Sequence, residues 1–371
     1  MEQGGAEQGC LDVAAAVAQA AGRALVASSG GVLAYRLERA GAEHLTLPLT
    51  RKAPWALRRN ARALAGIVRA AGVSLIHARS RAPGWSALWA AQQTGVPLVT
   101  TFHSVYSLGP APLMPLKRRY NEIMARGRRV IAVSNFVADH IAAVYGLPRD
   151  RIRTIPRGVD ITRFDPTAVT AQRIARLAEA WQLPDDKAII LMPGRIAGRK
   201  GHETLIAALG KLGREDIRAV FVGAEKTQGG YRARLEKLAR RVGVADRIQF
   251  VGACDDMPAA YQLAAVVVAP SLTPEAFGRV PVEALAMGRP VVASDCGAFP
   301  ETLQNGRWGR LVPPGDAAAL AAALAAALDA GLDDARGAAA RSHVAAHYTT
   351  QRMTEATLDV YEEVLGAAAS Q

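Results

Sequence analysis

The sequence predicts an α/β protein of two Rossmann-like domains, each with a doubly wound parallel sheet. The chain has 371 residues, which is too long for one ordinary domain and suits two of average size. Half of the residues are hydrophobic and 21% are charged, so both domains can bury a core. Short β-branched or apolar runs alternate with longer helical stretches through both halves, which is typical of βα units and parallel sheets.

The elements follow from this alternation in order. Five runs in the first half are strand candidates: 23–28, 73–78, 97–102, 129–133 and 153–155. The second half contains six: 188–192, 217–222, 248–251, 265–269, 290–293 and 309–312. We expect a first domain over 1–165 and a second over 166–345. Over 346–371 we expect a final helix whose apolar residues recur at helical spacing, so that it packs back on the first domain.

The start of the chain departs from this pattern. Residues 2–9 are typical of a loop, with a helix beginning near Glu7. A doubly wound domain places its first strand before such a loop and at the centre of the sheet. We therefore hypothesise that the natural chain begins upstream of Met1 and supplies that strand; a native terminus at Met1 or Glu2 in mass spectrometry would contradict this.

The net charge of +12 lies entirely in the first half. Residues 1–165 hold 22 Lys and Arg against 10 Asp and Glu, whereas 166–371 hold 23 of each. The basic clusters are Arg51/Lys52, Arg58/Arg59/Arg62, Lys117/Arg118/Arg119 and Arg126/Arg128/Arg129. Such a one-sided field attracts phospholipid head groups, acidic glycolipids or nucleic acid. Nucleic acid is disfavoured because aromatic residues make up 5% of the chain and do not interleave with the basic clusters.

Cysteine usage and hydropathy indicate the compartment. Cys10, Cys254 and Cys296 are far apart and form no CxxC pair, which suits a reducing cytoplasm and disfavours disulfides or a thiolate zinc site. No secretory signal is recognisable, and the longest apolar stretch, 317–327, is about half of a bilayer span. We expect a cytoplasmic protein that docks on the inner face of the cytoplasmic membrane.

The segment 270–284 carries the strongest functional signal. It follows the predicted buried strand 265–269, so it lies at the carboxyl end of a parallel strand, where α/β sheets bind ligands. Its loop leads into a helix with Pro281 in the first turn, and the free amides there suit an anionic group. Glu275 in the loop and Glu283 on the helix can accept hydrogen bonds from the hydroxyls of a sugar and a ribose.

This segment resembles the Glu-x7-Glu motif of family 4 glycosyltransferases, which have the GT-B fold of two Rossmann-like domains facing a central cleft. Three further similarities occur in the expected order: 193–201 resembles the Gly-Arg…Lys-Gly diphosphate loop, 133–135 and 155–160 resemble hallmarks of the end of the first domain, and 294–301 resembles the Gly-x-x-Pro-Glu turn. The resemblance runs over essentially the entire chain. It implies a hexosyltransferase that uses a nucleotide-sugar donor with retention at the anomeric carbon.

The resemblance also implies the site residues. The donor-binding set is Arg195, Lys200, Gly252, Glu275, Ala276, Phe277, Gly278 and Glu283, and the catalytic set is His103, Arg195, Lys200 and Glu275. The cations Arg195 and Lys200 can neutralise a diphosphate and stabilise the charge that grows as the glycosidic bond breaks. A histidine in the place of His103 meets the donor sugar in that family. On the acceptor side the resemblance and position assign Gly4, Gly5, Ser80 and Arg81, with a structural ion pair as the other interpretation of Arg81.

Metal dependence is not expected. The sequence contains no Asp-x-Asp triplet and no histidine–carboxylate cluster with metal-ligand spacing. Arg195, Lys200 and a helix dipole would replace Mg²⁺ at the leaving group. We expect no essential metal and no cofactor.

The leading hypothesis is transfer of a hexose from a UDP-, GDP- or ADP-linked donor to an anionic acceptor. The acceptor we expect is a membrane glycolipid, such as a lipopolysaccharide core or a lipid-linked intermediate. A sugar-nucleotide epimerase of the same fold is the alternative, disfavoured by the basic acceptor-side half. A nucleic-acid-binding protein and a dehydrogenase are weaker, the latter because no Gly-x-Gly-x-x-Gly follows a predicted strand.

Overall fold

The computed structural model of the chain describes residues 4–109, 112–225 and 230–369. It divides into two compact units. Unit 1 comprises Met1–Gly158 together with Thr350–Gln371, and unit 2 comprises Val159–Thr349. None of the helices in the described ranges is long and apolar enough to cross a bilayer.

Strands and helices alternate through both units. The helices are α1 (Gly5–Gln19), α2 (Ala34–Arg39), α3 (Pro54–Ala71), α4 (Arg81–Thr94), α5 (Met114–Asn121), α6 (Asn135–Tyr145), α7 (Ala171–Ala180), α8 (His202–Leu212), α9 (Tyr231–Val242), α10 (Met257–Leu263), α11 (Arg279–Ala286), α12 (Phe299–Thr302), α13 (Ala317–Ala330), α14 (Asp334–His347) and α15 (Thr350–Ala369). The strands are β1 (Leu25–Ser28), β2 (Glu43–Thr46), β3 (Ile76–Ala78), β4 (Leu98–Phe102), β5 (Arg129–Ala132), β6 (Ile152–Thr154), β7 (Ala188–Pro193), β8 (Ile217–Val222), β9 (Ile248–Gly252), β10 (Val266–Ala269), β11 (Val291–Ser294) and β12 (Arg310–Val312).

The described strands of unit 1 are all parallel and form two sheets. β1 pairs with β2, and the other sheet has the order β3-β4-β5-β6. β2 was not predicted, because its sequence Glu-His-Leu-Thr contains a single apolar residue. The first helix, α1, begins at Gly5, two residues before the predicted start near Glu7, and Gly9 lies buried within it. The hypothesis of an additional first strand concerns chain outside the described residues and stays a prediction.

The last helix, α15, is part of unit 1. Its residues Met353, Val360 and Val364 are buried against Val99 and Ile131 of the sheet. Glu363 on the same helix pairs with Arg129 and with Arg153, each at 2.6 Å. Apolar burial together with these ion pairs attaches the end of the chain to the first unit.

Unit 2 contains one six-stranded parallel sheet of order β12-β11-β10-β7-β8-β9. Helices cover it around an apolar core whose fully buried members include Ile190, Leu205, Phe221, Val266 and Leu324. β7 is first in sequence, and the chain adds β8 and β9 on one side of it and then β10, β11 and β12 on the other. The junction of β7 and β10 is therefore a topological switch point. These sheets confirm the α/β class with two parallel-sheet domains.

The division between the units falls between Gly158 and Val159, whereas the sequence placed it after residue 165. The intervening segment is held within unit 2. Val159 pairs with Thr349, and the Phe164 ring lies 6.0 Å from that of Tyr261. Polar and turn residues predict a boundary near 165–170, but the contacts that hold 159–165 within unit 2 come from residues distant in sequence.

Candidate functional site

β7 and β10 are neighbouring parallel strands at the switch point of unit 2. Parallel strands end at the same edge of a sheet, and in α/β folds ligands bind beyond the carboxyl ends of the strands at such a point. Lys200 lies in the loop after β7, and Glu275 lies in the loop after β10. The two positions are 75 residues apart in sequence, and the strand order brings them together.

Glu275 is the centre of a charged cluster. Its Oε1 accepts hydrogen bonds from Lys200 Nζ at 2.8 Å, from Arg199 Nη1 at 3.0 Å and from Ser271 Oγ at 3.1 Å. The side chains of Glu275 and Lys200 are only 15% and 20% exposed. Burial raises the pKa of Glu275, but Lys200, Arg199 and Ser271 together outweigh it, so the pKa lies below its ordinary value. The carboxylate is therefore ionised and pairs with both cations.

Backbone contacts fix the loop that carries Glu275. Leu272 N–H donates to the carbonyl of Arg199, and Ala298 N–H donates to that of Glu275, both at 2.9 Å. Two glycines make these approaches possible. Gly201 has φ +81 and Gly297 has φ +63, and a Cβ at either would overlap backbone, of Pro270 and of Glu275 respectively. The three loops after β7, β10 and β11 thus form one rigid edge.

Glu283 is held by different partners on α11. Tyr261 Oη donates to its Oε2 at 2.9 Å, and Arg279 Nη2 lies 3.1 Å from its Oε1. The side chain is 12% exposed. Because Tyr261 is completely buried, this hydrogen bond gives the carboxylate a defined orientation.

The other predicted donor residues have mixed environments. Arg195 is exposed, and the second cation that contacts Glu275 is Arg199, which the sequence analysis did not single out. In the sequence, the position of Arg199 directly before Lys200 was the signal that could have identified it. Phe277 is buried with its ring 5.7 Å from that of Tyr348, so its side chain packs, whereas Ala276 is half-buried and Gly278 caps α11. Gly252 ends β9 and is exposed. Donor contacts by these residues stay predictions.

His202 lies in the core directly behind Lys200. Its ring is fully buried, with centroids 5.4 Å from Phe221 and 6.2 Å from Tyr231. Burial lowers the pKa of His202 to about 4, with a further contribution from Lys200. The ring is therefore neutral near pH 7 and adds no charge to the loop.

In unit 1, His103 lies just beyond the carboxyl end of β4. Its Nδ1 is 3.1 Å from Nη1 of Arg157, which is 7% exposed and which the sequence analysis gave no role. Burial, Arg79 and Arg157 together hold the pKa of His103 well below its ordinary value. A neutral His103 can donate or accept a hydrogen bond, but it carries no positive charge.

The predicted acceptor-side residues lie on helix starts in unit 1. Gly4 caps α1 in an extended conformation, and both Gly4 and Gly5 are exposed. Ser80 caps α4 and is exposed. Arg81 contacts uncharged groups: its Nη1 donates to Asn121 Oδ1 at 2.8 Å, and its guanidinium lies 4.4 Å from the Tyr106 ring centroid. Neutral partners therefore position Arg81. The structural ion pair, which was its other interpretation, is not seen among the described residues.

Comparison with known proteins identifies similar chains. The family model "Glycosyltransferase Family 4" matches residues 3–163, and "Glycosyl transferases group 1" matches 174–343. D-inositol 3-phosphate glycosyltransferase of Streptomyces bingchenggensis is 34% identical over 308 residues, covering 78% of this chain and 67% of the relative. The corresponding protein of Xylanimonas cellulosilytica is 32% identical over 317 residues, covering 81% and 75%. The chain spans only 60% of a Catenulispora acidiphila relative.

Solved structures give the same result for the fold. The crystal structure of a glycosyltransferase from Rickettsia africae has a TM-score of 0.90 at 33% identity, covering 98% of this chain and 97% of that one. Anabaena Alr3699/HepE in complex with UDP and glucose has a TM-score of 0.81 at 24% identity, covering 97% and 96%. At 24% identity, the similarity to the Anabaena protein concerns the fold alone.

Proposed function

The chain belongs to the family 4, group 1 glycosyltransferases, and from this premise we propose that it is a retaining hexosyltransferase with an anionic, lipid-linked acceptor. Glycosyltransferase activity with a nucleotide-sugar donor follows from the family. The sugar, the acceptor and the stereochemistry are the content of the proposal. The observation that carries its donor side is the Lys200–Glu275–Arg199 cluster at the switch point of unit 2.

The cluster suits a departing nucleoside diphosphate. As the bond between the anomeric carbon and the diphosphate breaks, negative charge grows on the leaving oxygen. Lys200 and Arg199 supply two cations there, and α8, which begins immediately after Gly201, adds the partial positive charge of its N-terminus. Glu275 keeps Lys200 in place and offers a carboxylate oxygen to a sugar hydroxyl. Glu283, oriented by Tyr261, is the proposed partner of the ribose hydroxyls.

The acceptor side of the proposal rests on charge and on an exposed apolar surface. The whole net charge of +12 lies in the first 165 residues. Every residue from Pro112 to Arg119 is exposed, and Leu113, Met114 and Leu116 have 55%, 45% and 75% of their surface in contact with solvent. Large apolar side chains beside Lys117 and Arg119 suit an anionic lipid interface. We therefore favour an acceptor presented at a membrane, such as a lipopolysaccharide-type glycolipid.

A second acceptor class is a phosphorylated polyol. The curated relatives are named for D-inositol 3-phosphate, which is also anionic. The two classes differ in whether transfer requires a lipid surface, so activity toward a detergent-free phosphorylated polyol distinguishes them from lipid-linked acceptors.

The test begins with the donor. A thermal-shift screen of UDP-, GDP-, ADP- and dTDP-linked hexoses identifies the nucleotide, because a ligand stabilises the fold according to its occupancy. With that donor, we expect Lys200→Ala to abolish most transfer while the fold is retained, and the control Lys211→Ala, an exposed lysine of α8, to transfer normally. Proton NMR of the first-formed glycoside reports retention. Normal transfer by Lys200→Ala would refute the site, and conversion of the donor sugar into its epimer without acceptor would favour the epimerase alternative.

A further inference from the structure

The side chain of Arg81 joins α4 to both ends of the connection that carries α5. Arg81 begins α4, and its Nη1 donates to Asn121 Oδ1 at 2.8 Å across 40 residues of sequence. The guanidinium also lies 4.4 Å from the ring centroid of Tyr106 and 5.8 Å from that of Tyr120. Tyr106 precedes α5, whereas Tyr120 and Asn121 are its last two residues. One side chain therefore contacts the chain on both sides of the exposed part of this helix.

Asn121 closes the connection from inside. It is 1% exposed and is the only buried residue of α5. Its Oδ1 accepts from Arg81, and its Nδ2 donates to the carbonyl of Ser107 at 3.4 Å. Because a guanidinium has donors only, the bond to Arg81 determines which end of the amide is the oxygen. The amide thus links α4, the end of α5 and the stretch before α5, and its burial keeps it away from any bound substrate.

Other contacts of α5 lie at the same end or are exposed. One turn along α4, Trp85 Nε1 donates to the Tyr120 carbonyl at 3.1 Å. Within α5, Arg118 Nε donates to the Val144 carbonyl at 3.1 Å, but this contact is open to water. A helix of eight residues gains little from its own hydrogen bonds and depends on its neighbours for its position. The buried end of α5, where Arg81 meets Asn121, therefore determines where the helix lies.

The contacts of Arg81 require a guanidinium. This planar group can stack on a tyrosine ring and at the same time donate a directed hydrogen bond. A lysine ammonium is a compact, strongly hydrated charge on a flexible stem, so it can replace the charge but not both contacts. Arg81→Lys thus separates the geometry of the side chain from its charge.

We propose that Arg81 is a positioning residue of the acceptor side: by fixing Asn121 and the two tyrosines, it holds α5 where the apolar face of the helix meets an anionic lipid surface. This inference rests on the proposed function, in which α5 faces that surface. The sequence assigned Arg81 to direct contact with the acceptor, whereas here it acts through α5. Donor binding should not depend on Arg81, because the charged cluster around Glu275 belongs to unit 2.

Hydrogen exchange and vesicle binding of the full chain test the inference. The probe is phosphatidylglycerol vesicles at low salt, and exchange of the α5 amides is followed by mass spectrometry. We expect Arg81→Gln to speed this exchange and to lower vesicle affinity, each about tenfold, as for the loss of one hydrogen bond to a charged group. The affinity for UDP should stay within about twofold of wild type. Arg81→Lys should resemble Arg81→Gln, and it serves if Arg81→Gln does not fold.

Two comparisons separate position from charge and from direct contact. Arg69→Gln removes the same charge from an exposed arginine of α3 bonded to the Gln93 carbonyl, and it should leave α5 exchange at the wild-type rate. Asn121→Ala removes no charge and alters a side chain too buried for lipid to reach. We expect Asn121→Ala to match Arg81→Gln in both measurements. The double variant should lose no more than either single variant, because the two substitutions remove one shared contact.

Any of four results would overturn the inference: α5 exchange at the wild-type rate in both Arg81 variants, an affinity loss that Arg69→Gln shares in full, losses that add in the double variant, or a loss in Arg81→Gln that Asn121→Ala lacks. The last would assign Arg81 to direct contact. Failure of the proposed function gives a different result. If the wild type does not bind the vesicles, the lipid-linked acceptor fails, and the exchange rates by themselves then decide whether Arg81 holds α5.

Discussion

At the residue scale, the ion pairs of Glu275 differ in strength. Arg199 is 44% exposed, so water and salt screen its interaction with the carboxylate. Lys200 and Glu275 are both largely buried, and the charges of such a pair are screened much less. Lys200 is thus the cation whose position the fold controls, and Glu275 controls it. A cation that is already in position when negative charge develops stabilises that charge most, because it does not have to reorganise.

Glu275→Gln tests this coupling. The substitution keeps the shape of the side chain but removes the charge that holds Lys200. We expect the turnover number to fall about a hundredfold, as when one preorganised stabilising group is lost, while donor affinity changes much less. Steady-state kinetics separate the two effects. The control is Glu203→Gln, at the exposed pair with Arg234; equal turnover by wild type and Glu275→Gln would contradict the assignment.

Glu283 is expected to act on donor binding and not on turnover. Glu283→Ala removes the proposed partner of the ribose and leaves the buried Tyr261 hydroxyl without an acceptor. We expect the Kd for the donor to rise about tenfold or more, since a hydrogen bond to a charged group contributes about 1.5–3 kcal/mol. Tyr261→Phe retains the carboxylate and should weaken the donor less. Calorimetric titration measures both, and an unchanged Kd in Glu283→Ala would exclude this role.

At the element scale, α5 is unusual because almost none of it is buried. It lies in the connection between β4 and β5, and of its eight residues only Asn121 is buried. A helix this short gains little from its own hydrogen bonds, so packing normally stabilises it. Exposed Met114 and Leu116 provide an apolar face that a lipid interface can cover.

Binding of α5 to lipid can be measured with phosphatidylglycerol vesicles. We expect the wild type to bind and high salt to release it, because each nearby Lys or Arg contributes about 1 kcal/mol of screened attraction. Leu116→Glu should reduce binding about tenfold, through lost apolar burial and added repulsion. The control Leu332→Glu changes an equally large exposed apolar residue of unit 2 and should bind like the wild type. Salt-independent binding, or the same loss in both variants, would argue against α5.

At the scale of the whole molecule, sequence alone predicts what local pattern determines. The strands β7 (Ala188–Pro193) and β10 (Val266–Ala269) are continuous apolar runs because both sheet faces are covered, and their bounds were predicted to within one residue. Lys200 and Glu275 were predicted to share one pocket, from their places after strands and from the family resemblance, but the cation predicted beside Lys200 was Arg195. The contact of Arg157 with His103, the role of Arg199 and the existence of β2 were not, because each depends on partners distant in sequence rather than on local periodicity.

The histidines give the whole molecule a predictable pH dependence. Burial lowers the pKa of His77, His103 and His140 in unit 1 and of His202 and His343 in unit 2. Below about pH 6.5 the unfolded chain therefore binds more protons than the folded one, and the free energy of unfolding falls as pH decreases. Each strongly shifted histidine contributes up to about 1.4 kcal/mol per pH unit. The depressed pKa of Glu275 acts only below about 4.5, the ordinary glutamate value, so it does not oppose this trend.

Urea unfolding at pH 7.5, 6.5 and 5.5 measures the effect. We expect the free energy of unfolding to change little between pH 7.5 and 6.5 and to fall clearly at pH 5.5. His202→Gln should make this fall smaller for unit 2, because the variant lacks one histidine that is neutral in the folded chain and protonated in the unfolded chain. The slope, and not the absolute stability, is the informative quantity, since replacing a fully buried ring also creates a packing defect. Stability that is constant or increases from pH 7.5 to 5.5 would contradict this expectation, because it would mean that these rings are protonated in the folded chain as readily as in the unfolded chain.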